Sequence, residues 1–279
     1  LAASAISPLL QVSSKAVVRE EHIQWEVQDV DRAELEYYCA YTLLEEVPPL
    51  QYLDVHYDAF SKIDQLEAYI YDARGTLVRK IKEKDFEDRS VLDGFSIARD
   101  DRYLYSTVKY RQYPYTVVWR YRKSYKGIMG TYQGWTQPAG GVSVEAARLS
   151  VKVPEQITMN HQALHFPENR GPDYERSPDG WHRWEIGQLL PVIREVMAPA
   201  YYEIAPAIRL APSRFKVEEY EGSMASWQSF GSFLYRLNEG RSPLSHEPRR
   251  KSLKSKPARP IANPRSGNCI VFCSKTIDT

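Results

Sequence analysis

Apolar and polar residues alternate at period two through most of the first two hundred positions, and this limits the chain more than any other feature. Ile23-Gln24-Trp25-Glu26-Val27 is the clearest stretch. Successive side chains of a strand point to opposite faces, so such a run makes a half-buried strand. In a helix the same residues would be scattered around the cylinder. The runs Ala16 to Val27, Ala33 to Leu44, Tyr103 to Tyr110, Thr116 to Tyr125, Val142 to Val153 and Trp181 to Ile186 all read as strands. In the second, Leu35, Tyr37, Cys39 and Tyr41 share one face. Gln65 to Tyr71 and Thr76 to Ile81 flank Asp72-Ala73-Arg74-Gly75 and predict a hairpin, with glycine supplying the positive φ of a short loop. The charged run Lys80 to Arg89 reads as an exposed connection, and Tyr113-Pro114-Tyr115 as the join between two strands. The 20 Tyr and 6 Trp, set among Val, Ile and Thr, suit pleated, half-buried surfaces. These patterns predict a mainly β chain, an antiparallel β-sandwich.

The period changes once, late in the chain. Ser226 can cap a helix in which Trp227, Phe230, Phe233, Leu234 and Leu237 recur at three- and four-residue steps, and Gly240 fits a left-handed C-terminal cap. The expected organisation is a flexible lead-in at 1–15, a β-sandwich domain at 16–212, a connector with one short amphipathic helix at 213–241, and an irregular basic tail at 242–279.

No apolar run approaches the roughly 20 residues of a membrane-spanning helix. The opening Leu1-Ala2-Ala3-Ser4-Ala5 is of the small-residue kind found at signal-peptide cleavage sites, so a removed signal peptide or a fragment start is expected. From Arg249 onward there are eight Lys or Arg and one acid, against a net charge of +1 for the whole chain. The body is therefore mildly acidic and the tail basic. A nucleic-acid partner would rest on that tail alone, and none is expected. The tail lacks any hydrophobic period. A permitted back-translation read two bases on yields a charged amphipathic helix, so an out-of-frame extension and a genuine basic tail both stay open.

Several fragments, in order, resemble one bacterial family. These are Ala16-Val17-Val18-Arg19-Glu20-Glu21, the Tyr71-Asp72-Ala73-Arg74-Gly75 turn, Tyr113-Pro114-Tyr115-Thr116 and Trp184-Glu185-Ile186. Glu203-Ile204-Ala205-Pro206 with Leu210-Ala211-Pro212, and Gly222-Ser223-Met224 before Ser226-Trp227, complete the set. Over roughly Ala16 to Gly240 the chain resembles the domain of unknown function 3857. The resemblance implies a β-rich domain of periplasmic or secreted envelope proteins, usually followed by a transglutaminase-like domain of cysteine-peptidase type. That domain is the expected partner in the intact protein, and this chain is expected to be a non-catalytic module.

The residues that tempt a chemical reading each have a plainer one. Gly267-Asn268-Cys269 is similar to the surroundings of a transglutaminase-like nucleophile, but no histidine follows it to activate the thiol. Cys269 and Cys273 have no second pair to complete a zinc site. Cys39 reads as a small buried hydrophobe. His161 and His165 would share a helix face, yet Pro154 and Pro167 bracket them. His182 has no evident partner. The adjacent pairs Glu20-Glu21, Glu45-Glu46 and Glu218-Glu219 point to opposite faces of a strand and read as solvated surface. Gly140-Gly141 precedes a strand, so it makes no phosphate cradle. No metal or cofactor is expected. The remaining idea is a peptide- or glycan-binding platform at Trp135, in the loop-like Gln133-Gly134-Trp135-Thr136-Gln137-Pro138, or at Trp181. It would make the chain a stand-alone binding module.

Overall fold

The alternating run at the front of the chain forms β1, Ala16–Asp29, which pairs antiparallel with β2, Arg32–Leu43. These two strands form the centre of the fold in a computed structural model, which describes residues 1–91, 100–128, 134–193, 195 and 197–240. The chain divides into units Leu1–Leu237 and Asn238–Thr279. The expected tail, with Cys269 and Cys273, lies outside the described residues, as does Gln133.

The strands that follow are β3 (Tyr52–Tyr57), β4 (Ser61–Tyr71), β5 (Leu77–Lys82), β6 (Glu87–Ser90), β7 (Arg102–Thr107) and β8 (Tyr115–Lys126). Next come β9 (Trp135–Thr136), β10 (Val142–Lys152), β11 (Met159–Leu164), β12 (Asp173–Arg176) and β13 (Trp181–Leu189). The last are β14 (Ala207–Pro212), β15 (Phe215–Val217) and β16 (Tyr220–Gly222). An eight-stranded sheet takes the order β12-β13-β10-β1-β2-β8-β4-β5. Smaller sheets are β11-β14-β9, β3-β7-β6 and β15-β16. Among the described strands every pairing is antiparallel except the parallel pair β1 with β10, so antiparallel pairing dominates as expected.

One face of the large sheet is apolar. Trp25, Leu35, Val117, Leu149 and Trp184 come from it, Leu53 and Ile208 from the smaller sheets, and all join a single buried cluster. Full burial of each such side chain stabilises by ~1.5–3 kcal/mol, before conformational entropy is counted. Bulges keep this face apolar where alternation alone would fail. A register shift between Val18 and Glu20 turns Val18, Ile23 and Trp25 to the same side, and another between Asp64 and Glu67 does so for Ile63 and Leu66.

The predicted hairpin is β4–β5. Asp72 Oδ1 accepts from the amides of Arg74 and Thr76 at 2.9 and 2.8 Å, and Gly75 has φ +84°. The charged segment after it, expected as a bare connection, includes β6. There Arg102 of β7 bonds Asp88 and Ser90 side chains and holds the strand in place. The strands β7 and β8, joined through Tyr113-Pro114-Tyr115, lie in different sheets.

The opening residues also differ from the flexible lead-in expected. A short α-helix, α1 (Pro8–Gln11), follows a 3-10 turn at Ala3–Ala5. Ile6 and Leu10 are buried against Val17 on the outer face of the large sheet. Ser143 donates to the Leu10 carbonyl at 2.8 Å. Leu10 and Ile6 are too few to show a period, so the sequence pattern does not reveal this small core.

The late helix forms as expected. It is α2, Trp227–Asn238. Ser226 Oγ accepts from the Ser229 amide, and Ser229 Oγ accepts from the Ser226 amide, each at 3.1 Å. Phe233 is buried edge-on to Phe215, with ring centroids 4.9 Å apart, and Gly240 has φ +73°.

Candidate functional site

The chemistry-bearing side chains fall on the two faces of the large sheet. On the inner face Glu21 is only 7% exposed, which corrects the solvated reading of Glu20-Glu21. Its carboxylate accepts from the Tyr37 hydroxyl and from the Trp135 indole N–H, both at 2.7 Å. Burial pushes the Glu21 carboxyl above its ordinary value, and the two hydrogen bonds oppose that shift. Glu20, on the far side of the bulge, stays outside and meets His22 at 3.2 Å.

Trp135 is therefore not the exposed platform expected. It is fully buried in β9, stacked with Phe166 at 6.0 Å. Its flanking Gly, Gln, Thr and Pro read as loop because β9 is only two residues long. Gly134 is needed there, since a Cβ would fall 1.6 Å from the Ile208 carbonyl oxygen. Trp181 is half-buried on the outer face, where Lys152 and Arg183 lie over its ring at 5.7 and 5.8 Å.

Cys39 lies opposite Glu21 on one side and Trp119 on the other. Its burial drives the thiol well above the usual range, with the Glu21 charge adding to the effect. His161 sits in β11, not on a helix, and His165 has φ +59°. The edge strand β12 brings Tyr174 within 2.9 Å of His182 Nδ1, a partner that the sequence did not suggest. Burial, then Arg176 and His161, lower the His182 pKa. Among the described residues no group of three or more His, Cys, Asp or Glu could hold a metal ion.

The outer face carries polar rows that run across the strands. From β1 outward, His22 lies opposite Tyr38, Tyr38 opposite Arg120, Arg120 opposite Glu67 and Glu67 opposite Lys82. In the other direction His22 lies opposite Arg148, and Arg148 opposite Glu185. Two depressions share His22 and Gln24 on this face. One is about 690 Å³ and reaches β5, and the other is about 400 Å³ and reaches β12 and β13. Glu67 anchors the first. Partial burial raises its carboxyl, but hydrogen bonds from Tyr69, Arg120 and Lys80 outweigh this and hold it at about 2. The alternation of the strands foretold an outward polar face, but the cross-strand rows depend on register, which the sequence alone does not show.

A family model for the domain of unknown function 3857 (DUF3857), a domain with solved structure, matches residues 45–193, just over half of the chain. The chain belongs to this family. The matched region of this DUF3857 chain is narrower than the span of resembling fragments, and it takes in β3 through β13. No curated protein matches the chain. Among solved structures, a Parabacteroides distasonis protein described as a "putative protease" matches at 17% identity and TM-score 0.56, over 70% of this chain and 40% of that one. A Deinococcus radiodurans M1 zinc metallopeptidase matches at 11% identity, over 75% of this chain and 46% of that one, with TM-score 0.30. Leukotriene A4 hydrolase from Saccharomyces cerevisiae matches at 10% identity, over 85% and 36%, with TM-score 0.31. The first shows a shared fold, and the other two carry no argument at these scores. The chain spans less than half the length of each.

Proposed function

We propose that this chain is a non-catalytic β module of an extracytoplasmic protein, which precedes and positions a transglutaminase-like domain in the intact polypeptide. The observation that carries the reading is the setting of Cys39. A cysteine nucleophile needs an accessible thiolate and a histidine to activate it. Cys39 instead lies on the buried face of β2 between Tyr37 and Tyr41, and its thiol is held protonated by burial. Family membership supports the pairing with a following domain. So does the fold shared with the Parabacteroides protein, of which this chain spans 40%.

Two measurements test the reading together. Purified chain is assayed for peptidase and transamidase turnover, and the DNA is sequenced across codons 242–279 and beyond. No turnover is expected, together with a downstream frame encoding a domain with cysteine, histidine and acid. Turnover abolished by Cys39→Ser or Cys269→Ser would overturn the non-catalytic assignment. Downstream DNA encoding no such domain would overturn the pairing.

A further inference from the structure

We propose that the outer face of the eight-stranded sheet binds a carboxylate-bearing polysaccharide in the trough that runs across its strands. This rests on the trough alone and does not depend on the proposed coupling to another domain.

Shape is the first argument. The two depressions meet at His22 and Gln24 and together run from β5 to β12. Eight strands at a spacing of about 4.8 Å make this ~34 Å long, which suits an extended polymer better than a small molecule. The lead-in segment closes only one end of the face, where Ile6 and Leu10 cover Val17.

Charge is the second. The larger depression is lined by Lys80, Lys82, Arg120 and Arg122 against Glu36 and Glu67, a net excess of two cations. The described body is mildly acidic, so this excess stands against the sign of its surroundings. Arg120 and Lys80 both engage Glu67, which leaves more donors than one carboxylate can absorb.

The direction of the trough separates glycan from peptide. An extended peptide binds a sheet by pairing its backbone with an edge strand, along the strand direction. This trough crosses the strands and offers side chains only. Guanidinium forks, carboxylates and the amide of Gln24 can bond sugar hydroxyls as both donors and acceptors. The cation excess is left to meet sugar carboxylates. Tyr38, tilted against His22 at 5.8 Å, supplies ring surface at the midpoint.

The test is electrophoresis of the full chain through gels containing polygalacturonate, dextran or poly-glutamate at low ionic strength. Polygalacturonate is expected to retard the chain more than poly-glutamate of matched charge density, and dextran least. Arg120→Gln and Lys82→Gln, checked for folding by thermal melting, should each weaken retardation about tenfold. If Arg120→Gln fails to fold, the exposed Lys82 still decides the matter. Equal retardation by polygalacturonate and poly-glutamate would overturn the proposal, because charge alone would then be read. Retardation unchanged in the folded variants would also overturn it, by assigning binding to the basic tail.

Discussion

Glu21 occupies a position that strand alternation reserves for an apolar side chain, and its neighbours compensate for the substitution. Two donors reach its carboxylate, one from β2 and one from β9. Because burial raises the folded-state carboxyl, the folded chain holds this proton more tightly than the unfolded chain does. The contribution of Glu21 to stability is therefore fullest below the unfolded value of about 4.5 and is lost as pH rises through the folded one. Glu21→Gln keeps the shape, since its amide oxygen can accept from Trp135 and its amide nitrogen can donate to the Tyr37 oxygen. Thermal melts from pH 4 to pH 7.5 should show this variant matching or exceeding the parent at neutral pH and lacking that part of the pH slope. A variant less stable by the same amount at both ends would refute the linkage. Nothing in the sequence marked Glu21 as buried, because the bulge at Val18/Glu20 decides which member of Glu20-Glu21 turns inward, and bulges leave no period.

At the scale of elements, the long strands were legible and the short ones were not. β1, β2, β4, β8, β10 and β13 each carry enough alternating residues to declare themselves, and each lies within a few residues of its expected bounds. β6, β9 and β12 have four residues or fewer, too short to show a period, and owe their form to the strands they pair with. The helix α2 was legible because its signals are local. Ser226, Ser229 and Gly240 mark its ends, and Phe233 marks its buried side. Ser226→Ala leaves the amide of Ser229 without its acceptor and should cost about 1 kcal/mol. Hydrogen exchange would read this as faster exchange in the first turn of α2, with β1 and β2 unchanged. Uniformly faster exchange would mean that the helix and the large sheet open as one unit.

For the molecule as a whole, the β class follows from burial of one apolar face, but the way its layers are joined depends on a contact that no pattern announces. Trp135 belongs to the small β11-β14-β9 sheet, yet its indole N–H ends on Glu21 in the centre of the large one. The same tryptophan read as an exposed loop residue because Gly134 and Gln137 surround it, whereas the glycine is there to let β9 lie against the Ile208 carbonyl. The outer face is less coupled. Its ion pairs are largely exposed, as in Arg148 with Glu185, and such pairs contribute about 0–1 kcal/mol each. Disruption at Gly134 should therefore outweigh any single change on that face. Gly134→Ala would force a Cβ into a backbone oxygen that has no room to yield, displacing β9 and leaving Glu21 short of one donor in the core. A loss of more than about 3 kcal/mol is expected from denaturant unfolding, with a rise in Trp fluorescence quenching as Trp135 becomes accessible. Arg148→Ala, measured alongside, should stay within about 1 kcal/mol of the parent. Equal losses in the two variants would mean that the layers are held by the charged rows and not by the contact between Glu21 and Trp135.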